Sequence, residues 1–248
     1  MRFRGVCAMG VFLAAMCSGA VLGDEVGQTV STALDVTFVS RYVWRGIPQT
    51  TRAALQSTLS LSHPNGIGLS FWASSDLKVG RITETDYTVN YAWNSGNIGM
   101  NAGFTYYAFP NTPFASTSEV FADLRFGGRL CPSVSIYYDV DEARGFYATL
   151  GAGRAWPLSR AEIRSASLNV SGKLSFSSAA YNHFWFGLDQ AALSDLSLSA
   201  GVSVDLGSHT SLQTSLAYSA VTDGAIRRVL RSAGLDPNNL VVSITLSR

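Results

Sequence analysis

The residues able to do chemistry in this chain are ionised and amide side chains that recur at every second position along apolar segments. Asp35 stands between Leu34 and Val36, Glu84 and Asp86 flank Thr85, and Asn90 separates Val89 from Tyr91. Asn101, Glu119, Asp123, Arg125, Asp139 and Lys173 hold the matching places farther on, and Arg41 continues the first such segment. With Gln56, Asn169, Asp205 and Gln213 on the same parity, acids outnumber bases seven to three. Carboxylates grouped around a water-filled path favour cations. The chemistry expected of this set is therefore sorting of small charged or polar solutes, not bond breaking. The alternative is a plugged interior in which Arg41, Arg125 and Lys173 pair with the acids and fill the space.

Two other groups carry side chains capable of chemistry. A hydrolase needs a histidine within hydrogen-bond reach of a serine or a carboxylate. His63 and His209 fall in turn segments, which leaves His183 with Asp189 or Asp195 as the one pairing at the opposite end. No enzyme is expected from so thin a set. No metal-ligand spacing, phosphate loop or nucleotide fingerprint is present, so no cofactor is expected either. The third group is Arg227, Arg228 and Arg231. They sit in Thr222–Leu235, where Asp223 can cap a helix, Ile226, Val229, Leu230 and Ala233 share a face, and Gly234 and Pro237 end it. These arginines are loop-constriction candidates for a pore mouth. Otherwise they form a solvated face open to anionic lipopolysaccharide.

The elements that must position these residues are strands. In Glu84–Tyr107, Thr85, Tyr87, Val89, Tyr91 and Trp93 alternate with polar residues, Asn94-Ser95-Gly96-Asn97 turns the chain, and Ile98, Met100, Ala102, Phe104 and Tyr106 resume the alternation. A period of two over ten residues marks a strand with one apolar face, and the Asn/Ser/Gly cluster supplies the turn. Strands of about 9–11 residues suit a tilted membrane crossing. The unit recurs until twelve strands are counted between Thr32 and Leu246. Short turns at 63–66, 94–97, 127–132, 156–161 and 207–210 alternate with links at 45–52, 76–82, 108–116, 139–143, 179–194 and 221–238, most of them longer. An even strand count with short turns at one end and longer loops at the other predicts an all-β, transmembrane, antiparallel up-and-down β-barrel. Tyr42, Trp44, Tyr106, Tyr138, Phe146 and Tyr218 would form the girdle at the loop end, and Trp93, Phe126 and Trp156 the girdle at the turn end.

Composition agrees. Charged residues are 14% of the 248, well below the roughly 25% of soluble domains, while hydrophobic residues reach 47%. The polar face is mostly Ser, Thr, Gly and Asn, too weakly charged for the exterior of a soluble barrel. Unpaired backbone groups cost several kcal/mol each in hydrocarbon, so an apolar face that meets lipid requires ring closure. Arg2 and Arg4, an apolar run from Val6 to Met16 and small residues up to Gly23 read as a cleaved signal peptide at 1–23, leaving 24–248 as the barrel. Loss of two of the 18 basic residues leaves 16 against 17 acidic, a net charge of −1. That gives no basic field for nucleic acid. The partners expected are membrane lipid, lipopolysaccharide and small solutes in a bacterial outer membrane, and the pattern leaves monomer and homo-oligomer open.

Val39–Thr50, VSRYVWRGIPQT, resembles the start of the TorF-type porin family of Gram-negative outer membranes. Ser40, Tyr42, Arg45, Gly46, Gln49 and Thr50 match its Ser-x-Tyr-x-x-Arg-Gly element and the Gln-Thr that follows. Glu84, Asp86, Tyr91, Gly103, Tyr106, Tyr107, Pro110, Tyr137, Tyr138, Asp139 and Tyr147 continue the resemblance, which thins beyond about residue 180. It implies a barrel called a porin by its architecture, with poorly defined substrates.

Overall fold

In the computed structural model, which describes residues 29–158 and 165–248, twelve long strands close into one antiparallel barrel. They are β1 (Ser31–Val39), β4 (Ala54–Ser62), β5 (Ile67–Asp76), β6 (Arg81–Ser95), β7 (Ile98–Ala108), β8 (Thr117–Phe126), β9 (Ser133–Asp139), β10 (Phe146–Pro157), β11 (Ala166–Ser177), β12 (Ala192–Gly207), β13 (Thr210–Val221) and β14 (Asn238–Ser247). Each pairs with its sequence neighbour, and β1 closes on β14 through Asp35↔Ser247 to Val39↔Ser243. Two short strands, β2 (Val43–Trp44) and β3 (Ile47–Pro48), form a separate hairpin between β1 and β4. Two helices, α1 (Ala179–Phe186) and α2 (Gly224–Ser232), lie in the loops after β11 and β13. The expected leader at 1–23 lies outside the described residues, as does part of the turn at 156–161.

The period-two pattern sorts the faces. Leu34, Val36 and Phe38 of β1 are exposed while Asp35 is buried, and the same holds for Leu69 and Phe71, Tyr87 and Val89, Leu198, and Val242 and Ile244. The wall is thus apolar outside and polar inside. Tyr106, Tyr138, Phe146 and Tyr218 point outward near the loop end, and Trp93, Phe126 and Trp156 near the turn end. Tyr42 and Trp44 differ from expectation. The first strand ends at Val39, and the segment after it folds into the barrel instead of continuing the wall. There Tyr42 packs against Trp72, and Trp44 packs edge-on against Trp185. With no wall register left to fix their parity, their side chains follow the hairpin.

The helix expected at Thr222–Leu235 is shorter, Gly224–Ser232, and Asp223 caps it by accepting from the Ala225 and Ile226 N–H groups at 2.8 and 2.9 Å. Helix α1 lies inside the link expected at 179–194, for which the sequence predicts a loop. Ser178 caps its start by accepting from the Tyr181 N–H, and Gly187, at φ 66°, ends it. A serine nine residues before a glycine, with Ala179-Ala180 between them, is the sequence signal for this helix.

Candidate functional site

The loop end of the barrel interior is filled by the hairpin β2–β3 and the two helices. Thr50 holds the base of the hairpin: its hydroxyl accepts from the Tyr42 N–H at 2.9 Å and donates to the Arg52 carbonyl at 2.7 Å. Ser40 anchors the approach, since its Oγ accepts from the Val242 N–H at 2.9 Å. The tip is Arg45-Gly46, with φ of 49° and 80°. Gly46 is required twice over, because its φ is left-handed and a Cβ there would meet Val221 Cγ2 at 2.9 Å. Ile47 joins Ala192, Val221, Ile226 and Leu230 in a buried apolar cluster that ties the hairpin to α2.

This geometry drives Arg45 into a clamp. Its two terminal nitrogens each donate to a Glu119 carboxylate oxygen at 2.7 Å, the fork geometry that makes such pairs strong. The two side chains are only 7% and 3% exposed. Four ring faces surround the guanidinium: Trp44 at 4.4 Å, Tyr147 at 4.4 Å, Tyr137 at 4.8 Å and Tyr181 at 5.6 Å. All lie within the range of cation–π attraction. Tyr107 adds a hydrogen bond to Glu119 at 2.9 Å. Tyr147 donates to Asp195, which also accepts from Ser175 at 3.2 Å and Ser194 at 3.2 Å. Burial works against the charge on Arg45, and Glu119, together with Tyr181 and Tyr107, more than reverses this, so the guanidinium's pKa is held well above its usual value. Burial, with Glu84 and Asp86 close by, likewise holds the Tyr42 hydroxyl well above the ordinary tyrosine range.

Beside the clamp is a cavity of about 20 Å³, room for roughly one water. Trp44, Glu84, Glu119, Asp139 and Trp185 are among its walls.

The sequence-derived set separates into levels. Glu84, Asp86, Glu119 and Asp139 meet at the filled level. Asp139 is largely structural there: it accepts from Thr117 Oγ1 at 2.7 Å and from the Asp141 and Ala143 N–H groups at 3.0 and 3.1 Å, shaping the loop after β9. Lys173 is on the inner face of β11, in the field of Asp195 and Arg45. Arg41 bonds Asn239 Oδ1 at 3.0 Å at the rim. Nearer the turn end, Asn90 donates to Asn101 at 2.8 Å, and Asn101 to Asp123 at 3.2 Å, with Arg125 two residues on along β8. Asp35 is buried opposite Ser247 and Thr58. Around the rest of this level run hydroxyl pairs: Thr37 with Thr245, Ser171 with Ser199, and Ser215 with Ser243, at 2.7–2.9 Å.

None of the three arginines of α2 belongs to the buried mouth cluster. α2 turns Ile226 and Leu230 into the mouth cluster, while Arg228 and Arg231 are exposed. Arg227 pins the helix to the rim, donating to the Val221 carbonyl at 2.7 Å and to Asn238 Oδ1 at 3.1 Å. The guanidinium at the centre of this level belongs to Arg45, which in the sequence stands out only within the Ser-x-Tyr-x-x-Arg-Gly element. Asp195, which the sequence offers only as a histidine partner, also belongs to this site. Its parity with Ser197 and Ser199 was the available signal. His183 does meet Asp189, at 2.6 Å, but the two side chains are 67% and 85% exposed, on the surface of the α1 loop. Among the described residues no three His, Cys, Asp or Glu side chains are grouped to hold a metal.

Residues 23–149, half of the chain, match the model of a family described as "Bacterial protein of unknown function (Gcw_chp)". The chain belongs to the Gcw_chp family. The matched region carries Arg45, Glu119, Tyr107, Tyr137 and Tyr147. Tyr181 and Asp195, which complete this Gcw_chp clamp, lie beyond it. No curated protein matches the chain. Among solved structures, the fold is similar to the NanC porin, at 11% identity and a TM-score of 0.54 over 86% of this chain and 98% of that one. It is similar also to the KdgM porin, at 10% identity and a TM-score of 0.52 over 87% and 97%. A structure of KdgM with disordered oligogalacturonate aligns equally well. At such identities the likeness is one of fold.

Proposed function

We propose that this Gcw_chp protein is a porin-like channel of the bacterial outer membrane, of the TorF type, passing small polar or charged solutes. The observation that carries the reading is the closed twelve-stranded wall, apolar outside and polar within. In hydrocarbon only closure satisfies the backbone, and a wall of this polarity suits lipid outside and water inside. The fold-level likeness to NanC and KdgM supports it. The outer loops would meet lipopolysaccharide. Whether the barrel works alone or as a homo-oligomer belongs to the same proposal and follows from its mass in detergent.

A second reading has its own observation, the filled mouth: a plugged barrel whose extracellular loops bind surface partners. Planar-bilayer recording of refolded protein separates the two. Discrete conductance steps are expected. Their absence would sink the channel and leave the plugged barrel.

A further inference from the structure

We propose that the clamp around Arg45 is a binding subsite for solutes bearing a guanidinium or ammonium group, occupied here by the chain's own arginine. As a stop on a solute path it rests on the channel reading. As a binding site it does not.

The site is complete for a cation without Arg45. Glu119 offers two oxygens in fork geometry, Tyr107 holds that carboxylate in place, and Tyr137, Tyr147 and Tyr181 present ring faces fixed by the barrel wall and α1. A carboxylate within an aromatic box is how quaternary and guanidinium cations are recognised. The occupant, by contrast, is not part of the wall. It comes in on a hairpin with only two residue pairs, Val43↔Pro48 and Trp44↔Ile47. Displacing it breaks no barrel ladder.

Two further observations point to an outside ligand. The cavity next to the clamp shares Trp44 and Glu119 with it, and so leaves room for roughly one water beside a head group seated in the box. That cavity also carries a buried indole N–H, Trp185 Nε1, that has no hydrogen-bond partner, and Asp86 Oδ1 near Tyr42 is buried without one as well. Glu119, Asp139 and Asp195, set against Lys173, leave this level of the interior with an acidic surplus once Arg45 leaves, which suits cations and repels anions.

The test uses the full barrel in detergent, with ethylguanidinium as probe and neutral ethylurea as control. Tryptophan fluorescence reports binding, since Trp44 and Trp185 lie at the site. For Arg45→Ala a saturable response to ethylguanidinium is expected, tighter than in the unaltered protein by about tenfold, the size of one good cation–π contact. It should vanish in Arg45→Ala/Glu119→Gln and with ethylurea. Equal titration of Arg45→Ala and the unaltered protein would overturn the proposal. If Arg45→Ala does not fold, judged by heat-dependent gel migration, it is refolded in millimolar ethylguanidinium. Rescue beyond that given by ethylurea supports the subsite, and its lack refutes it. Bilayer conductance of the unaltered protein is read separately, so a failed channel and a failed subsite give different results.

Discussion

At the level of Glu119 the barrel interior holds a buried ion pair, four aromatic rings and an apolar cluster contributed by three loops. At the level of Asn101 it holds a relay of two amides and a carboxylate facing serine and threonine pairs. The inward positions of the strands follow one alternation at both levels, so the wall does not create this difference. Small side chains on twelve strands do not fill a ring of that size. Filling has to be imported, and among the described residues it comes from the loops at the loop end. The turn-end level is therefore held by side chains of the wall itself, and the loop-end level is a packed core whose chemistry depends on one inserted arginine.

The comparison breaks most readily at Glu119. Glu119→Ala leaves Arg45 buried without its partner and should cost about 3–5 kcal/mol, read by urea unfolding in lipid vesicles. Replacing both partners, as Arg45→Met with Glu119→Leu, should recover most of that loss, because an apolar pair needs no compensation. If Glu119→Ala is neutral, the loop end is not a core. Leu69→Arg, on the outer face of β5, should cost about 2–4 kcal/mol if Leu69 meets mid-bilayer lipid. A neutral result there would place the residue away from lipid. Asp123→Ala at the turn-end level should cost no more than about 1.5 kcal/mol, since the amide it frees can bond water. Its expected effect is on ion selectivity, as a shifted reversal potential in asymmetric salt. Equal losses at Glu119 and Asp123 would erase the distinction between the levels.

The smallest effect is alkaline. Burial, with Glu84 and Asp86 nearby, raises the Tyr42 hydroxyl's pKa in the folded state. The stability this represents is complete below about pH 10, the unfolded value, and is lost as pH climbs through the folded one. Tyr42→Phe should therefore lessen the decline of stability above about pH 10. An unchanged alkaline limb would show that the hairpin does not seal Tyr42 from water.

The legible part was the wall. Asp35 between Leu34 and Val36, or Tyr87 between Asp86 and Thr88, assigns its face by parity alone, because a strand allows only two sides. Strand number and the alternation of turns with loops followed from the same count. The Asp223 cap was legible for a local reason, the bond between its side chain and the next N–H groups. Trp44 was not. Parity was carried past Val39 into a segment that leaves the wall, and nothing in the spacing marks that departure except Arg45-Gly46 itself.

By itself the sequence determined which residues face outward, how many strands close the ring, and where the charged side chains sit along each strand. Those are consequences of a period of two and of backbone groups that must be paired. Only the tertiary structure decided which charges meet. Arg45 and Glu119 are 74 positions apart, and Tyr147 and Asp195 are 48 apart. Their contact depends on the curvature of a closed barrel and on a hairpin folded inside it. Neither has a local signature, because the energy that selects them comes from desolvated contacts made across the ring.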